Sequence, residues 1–115
     1  MKLPAEATLL RIFIGESDRY QGQPLFEAIV HEARRRNLAG ATVVKGMLGF
    51  GADSRIHTAK LLRLSEDLPI IIEIVDSPEK IEEFLPILDQ MVEEGMVTTE
   101  KVRVFAYRHS QSHMD

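Results

Sequence analysis

The chain contains no cysteine and no tryptophan among its 115 residues. Without thiols it has no disulfide framework, no thiolate nucleophile and no thiolate zinc site. No apolar run approaches the ~20 residues that span a bilayer as a helix. The first residues, with Glu6 and Arg11, lack the pattern of a signal peptide. These absences predict a soluble, cytoplasmic protein. A general basic footprint for nucleic acid is also missing, because 14 basic residues face 18 acidic ones. The charge is uneven: residues 1–57 carry net +2 and residues 58–115 net −6, which leaves room for a local basic site for a small anion.

What is present is a globular balance, 44% apolar and 28% charged. The length predicts a single domain over residues 1–115, with its core at about 7–108 and a frayed, flexible tail over 109–115. Residues 8–14 read as a strand, with Leu10, Ile12 and Ile14 on one face and Leu9, Arg11 and Phe13 on the other. A polar loop over 15–23 follows. Pro24 suits the first position of a helix carrying Phe26, Ile29, Val30 and Ala33 at helical spacing. Arg34, Arg35 and Arg36 complement the dipole at that helix's C-terminus, and residues 37–40 break it.

Residues 41–50 resume extended character around Thr42, Val43 and Val44. Residues 68–76 are too apolar and β-branched for anything but a central strand. Ser77-Pro78-Glu79 is an N-cap signal, and Ile81, Phe84, Leu85, Leu88, Met91 and Val92 trace one helical face. Pro86 predicts a kink or a division into two pieces, and Gly95 supplies the stop. Residues 101–108 form the expected last strand.

Strand–helix–strand occurring twice is the split βαβ, ferredoxin-like (βαββαβ) pattern, an α+β fold. Right-handed crossovers put the first and third strands at the centre of an antiparallel sheet, with both helices on one face. The other face is expected to show Leu9, Phe13, Val43, Met47, Ile71, Val75, Phe105 and Tyr107, with Arg11, Lys45, Glu73 and Arg103 interspersed. That is more apolar surface than a monomer leaves in water, and it predicts a closed homo-oligomer. Arg11 and Glu73, on adjacent strands, are expected to pair.

The topology gathers three connections at one end: 15–23, 51–67 and 94–100. Residues 59–64 are expected to extend the following strand, leaving 51–58 as a mobile tip. Gly46, Gly49 and Gly51 permit a bulge or close ligand approach. Their spacing is neither a dinucleotide fingerprint nor a P-loop. His57 with Asp53 is a candidate for a metal or acid–base site. His109 and His113 lack a third ligand, and Ser17, Ser54 and Ser65 lack a His–Asp partner, so no catalytic triad is legible.

Gly15-Glu16-x-Asp18, Pro24-Leu25-Phe26, Gly46-x-x-Gly49-Phe50-Gly51 and Leu68-Pro69-x-x-x-Glu73-Ile74-Val75-Asp76 occur in that order. Together they resemble the PII-like signalling family, in the branch called domain of unknown function 190, over about residues 7–108. The resemblance implies a trimer whose sheets face inward. It implies adenine-nucleotide binding (AMP, ADP or ATP as effector) in clefts between subunits, beside a loop corresponding to 51–58. That loop would report the ligand to a partner, a transporter or an enzyme.

The implied site is Gly49, Phe50 and Gly51 through their backbone, with Arg55, Lys101 and Arg103 supplying charge. The turn 95–101 would hold the phosphates, although strand alternation also allows Arg103 to face the trimer core. The loop is shorter than in PII proteins proper and lacks the tyrosine that is modified in some of them, and the turn before Lys101 lacks their glycine-rich run. No catalytic residue, metal or other cofactor is implied. The alternatives are a small metal-binding or catalytic trimer using His57 and nearby carboxylates, and a ligand-free structural adaptor.

Overall fold

The computed structural model describes residues 3–51 and 67–109, and the backbone of His57–Thr58. The elements in chain order are β1 (Glu6–Gly15), β2 (Arg19–Tyr20), β3 (Gln23–Pro24), α1 (Leu25–Arg35), β4 (Thr42–Lys45), β5 (Leu48–Gly49), β6 (His57–Thr58), β7 (Pro69–Asp76), α2 (Pro78–Met91) and β8 (Met96–Arg103). Four of them form the main sheet in the order β4-β7-β1-β8, antiparallel throughout. The expected ferredoxin-like arrangement is therefore present, with the first and third long strands at the centre.

Alternation decides what each strand buries. Leu10, Ile12 and Ile14 of β1 and Ile70, Ile72 and Ile74 of β7 are buried together with Ile29 of α1 and Ile81, Phe84 and Leu88 of α2. Each such side chain taken from water stabilises the fold by roughly 1.5–3 kcal/mol. Helix α1 ends at Arg35, and Asn37 takes a positive φ of 61° beyond it. The Ser77 side chain caps α2 by accepting from the Lys80 N–H, as the Ser-Pro signal predicts. The helix then runs continuously through Pro86, so the division into two pieces does not occur. Asp76, 2% exposed, accepts hydrogen bonds from the Ala39 N–H at 2.7 Å and the Ser77 N–H at 2.6 Å. It thereby ties the exit of α1 to the entry of α2.

Three expectations are corrected. The last strand lies at Met96–Arg103 instead of 101–108. Gly95, at φ 149°, turns the chain at once, and Met96 already lies opposite Phe13. The second strand leaves the sheet after Lys45, because the Gly46 N–H donates to the Pro69 carbonyl and the chain then forms a separate β5–β6 hairpin. The loop over 15–23 also contains a small β2–β3 hairpin, turned by Gln21 and Gly22 at positive φ.

These shifts change the face away from the helices. The register retains Leu9, Arg11, Phe13, Ile71, Glu73 and Val75 there, joined by Thr42 and Val44 and by Met96, Thr98, Glu100 and Val102. Val43, Lys45 and Arg103 lie instead on the helix-bearing side, and Met47, Phe105 and Tyr107 fall outside the sheet. The Arg11–Glu73 pair forms as expected, at 2.9 Å, and Arg11 also reaches Glu100 at 3.2 Å. The hydrogen bond from Arg11 to Glu73 raises the guanidinium's already high pKa.

Candidate functional site

The glycine-rich strand end is built by close packing. A side chain at Gly46 would stand 2.9 Å from the Pro69 ring, and one at Gly49 would stand 3.0 Å from it. A side chain at Gly15 would meet the Asp67 carboxylate at 2.9 Å. Three of the motifs quoted above therefore interlock at one end of the sheet. Pro69 crowds out a side chain at Gly46 and leaves little room for one at Gly49 before any ligand is considered. Gly51 has open space around it, and Phe50 is 69% exposed. Neither residue is claimed by the packing against Pro69.

The turn after β1 holds this end together. The Gly15 N–H donates to Asp18 Oδ2 at 2.9 Å, the Glu16 N–H to the Leu68 carbonyl at 2.8 Å and the Ser17 N–H to Asp67 Oδ1 at 2.7 Å. Lys45 Nζ lies 2.8 Å from Glu16 Oε2. This ion pair is the feature that sequence reasoning missed. Its only signal was a glutamate in the Gly15-Glu16-x-Asp18 motif and a lysine immediately before Gly46.

The structure does not bring Lys101 and Arg103 to this end within one chain. Lys101 lies in β8, not in the turn before it, opposite Thr8, which in turn faces Asp76. The loop-bearing end is marked by Gly15 opposite Pro69. At about 3.3 Å per residue, Lys101 is roughly 23 Å down the sheet from that end. It is also on the opposite edge, three strand spacings of about 4.8 Å from β4. Arg103 sits two residues further on, opposite Glu6 and on the same face as Lys101. Gly49 pairs with His57 through the backbone of the β5–β6 hairpin.

Several expected features lie outside the described residues: Arg55, Asp53, Ser54, Ser65, the strand extension over 59–64, most of the 51–58 tip, His113 and the tail beyond 109. Among the described residues there is no group of three or more His, Asp or Glu that could hold a metal.

Two recesses elsewhere have the wrong chemistry for a phosphate. A groove of about 430 Å³ between α2 and β8 is lined by Leu85, Pro86, Leu88 and Val97 and flanked by the acidic Glu82 and Asp89. A smaller one of about 200 Å³ holds Arg36 and Lys80 beside Glu83. Its cations are already engaged, Arg36 Nε with Glu32 at 2.6 Å and Lys80 Nζ with the Asn37 carbonyl. The Arg34–Arg36 run thus serves partly as a local ion network. Arg35 first, and then Arg36, holds the Glu32 carboxyl below its ordinary pKa.

An α+β, ferredoxin-like chain with a glycine-rich strand end is the class that this geometry defines. The sequence profile of DUF190, described as "Uncharacterized ACR, COG1993", matches residues 7–104, and the chain belongs to that family. It is 38% identical over 96 residues to a UPF0166 protein of Aquifex aeolicus, covering 84% of this chain and 90% of that one. It is 36% identical over 87 residues to UPF0166 protein MJ1524 of Methanocaldococcus jannaschii, covering 76% and 80%.

Among solved structures, a putative PII-like signaling protein from Thermus thermophilus superposes with a TM-score of 0.63 at 19% identity, over 87% of this chain and 90% of that one. CPII from Thiomonas intermedia, bound to ADP and bicarbonate, gives 0.55 at 19% identity, over 86% and 88%. These neighbours share the fold. Among the described residues no helix is long and apolar enough to cross a membrane.

Proposed function

We propose that this protein is a non-enzymatic, homotrimeric PII-like regulator that senses an adenine nucleotide, or a related small anion, in clefts between subunits. The observation that carries this reading is the division of the candidate residues. Gly49, Phe50 and Gly51 follow one edge strand, while Lys101 and Arg103 belong to the other edge strand, at the far end of the sheet. One copy cannot close a site from both sets. A site that one chain does not complete can be completed between neighbouring copies of a ring, each supplying one of the two sets.

The helix-free sheet face supports the same assembly. Leu9, Phe13, Ile71 and Val75 are only partly covered there, and Val44 and Met96 are 45% and 54% exposed. Burying such a face removes apolar area from water, and a trimer with inward-facing sheets does so symmetrically. That the fold neighbour CPII has been captured with ADP and bicarbonate, and also with AMP, sets the chemistry to test first. In this reading Arg55 adds charge, and the 51–58 segment carries the ligand state to a partner transporter or enzyme.

Mass spectrometry of gently purified protein, followed by calorimetric titration with AMP, ADP, ATP and cyclic nucleotides with and without bicarbonate, tests the proposal. At least one adenine nucleotide is expected to bind below millimolar concentration. Binding of none of them, or recovery of a stoichiometric metal instead, would overturn it.

A further inference from the structure

We infer that Lys45 is a cation of the effector site and that Glu16 is its resting partner, which an arriving anion displaces. This rests on the anion-sensing reading above and names the side-chain exchange by which the site takes up its anion.

Lys45 is the last residue of β4, and it is the only lysine or arginine in residues 41–51 or 67–76. An anion seated on Gly49–Gly51 therefore meets Lys45, or no basic side chain of those segments. At rest the lysine is held 2.8 Å from Glu16 Oε2, with the two side chains 54% and 32% exposed. An ion pair this exposed is weak and exchanges readily. A diphosphate offers the ammonium group more negative charge and more acceptor oxygens than one carboxylate does.

The two partners are not equally free to move. The Glu16 backbone is fixed by its N–H on the Leu68 carbonyl, and the adjacent Ser17 N–H is fixed on Asp67. Lys45 is followed by Gly46, whose N–H is committed to the Pro69 carbonyl at 2.7 Å. The backbones on both sides therefore stay in place, and exchange requires only that the flexible lysine side chain swing from Glu16 to the anion. Capture of Lys45 cuts the side-chain tie between the end of β4 and the turn after β1, and it leaves the backbone ties standing. The change falls where the chain departs from the sheet, at Gly46.

Calorimetric titration of the parent, Lys45→Ala and Glu16→Gln with ADP, and separately with inorganic pyrophosphate, tests this. Circular dichroism melts serve to check that both surface variants are folded. Lys45→Ala is expected to weaken both ligands by about tenfold or more. Glu16→Gln removes the competitor and is expected to tighten them by about two- to fivefold.

Unchanged ADP binding by Lys45→Ala, or weaker binding by Glu16→Gln, overturns the inference while leaving the nucleotide reading in place. Pyrophosphate binding that depends on Lys45 and exceeds ADP binding supports the latch and removes the adenine reading. A parent protein that binds neither ligand overturns both.

Discussion

Strands β7 and β8 flank the same neighbour, β1, over eight residues each, yet they are chemically different. Pro69–Asp76 alternates between fully and partly buried residues, pairs on both sides and lies under the helices. Met96–Arg103 pairs on one side only and is exposed at every position except Val102. The difference separates what one copy completes from what it leaves open. β7 is finished within the chain. β8 presents an edge that pairs with no strand among the described residues, and it carries two basic residues, Lys101 and Arg103, there.

The sharpest way to break this contrast is to place the same charge in each strand. Ile72, fully buried, lies between Ile12 and Val43 in the register. Ile72→Asp combines a lost core side chain with a buried charge, and it is expected to cost more than about 4 kcal/mol and to abolish folding. Thr99→Asp in β8 should retain the native circular dichroism spectrum. Loss of folding in the second variant would show that β8 is as closed as β7.

A smaller loss is expected at the turn that launches β8. Gly95 has φ 149°, and a side chain there would collide with the Phe13 carbonyl. Gly95→Ala should therefore cost roughly 2–3 kcal/mol in chemical denaturation. A neutral result would mean that the turn relaxes and that the position of β8 is set elsewhere.

The open edge can be probed without touching the fold. Lys101 is exposed, and a charge-assisted hydrogen bond to phosphate is worth ~1.5–3 kcal/mol. Lys101→Ala is expected to weaken nucleotide binding by roughly 10- to 150-fold and to leave the assembly intact by light scattering. Parental affinity in that variant would take Lys101 out of the site.

The smallest effect concerns Glu32, whose carboxyl is held below its ordinary pKa by Arg35 and then Arg36. A depressed carboxyl contributes stability above its unfolded pKa and loses it as pH falls through the lower folded value. Acid titration of stability should show a shallow loss below the ordinary glutamate range that is absent in Glu32→Gln. The surface position keeps this small.

The same contrast explains what the sequence made legible. The β-branched run of β7 and the Ser77-Pro78 cap are local signals, and buried alternation made β1 readable as well. β8 was misplaced because Thr98, Thr99, Glu100 and Lys101 bury nothing, so they leave no period to read. The Arg11–Glu73 pair was foreseeable, because alternation on adjacent central strands sets both residues on one face.

The fit of Gly46 and Gly49 against Pro69 was not foreseeable, because the partner is distant along the chain and no local pattern announces it. The Lys45–Glu16 tie has the same cause. The ferredoxin-like order and the glycine cluster were legible in the residues themselves, and the resemblance to the PII-like family added the expectation of an inward-facing trimer with nucleotide clefts. It left the placement of Lys101 wrong, because the turn it had been assigned to is shorter than expected.

Native mass spectrometry of the full chain with ADP tests the central claim most directly, because one spectrum reports assembly and ligand together. The expected spectrum is a trimer that carries the nucleotide, with none on dissociated chains, and loss of both when Ile71→Asp places a charge on the helix-free sheet face. A stable monomer that binds ADP stoichiometrically would contradict the claim.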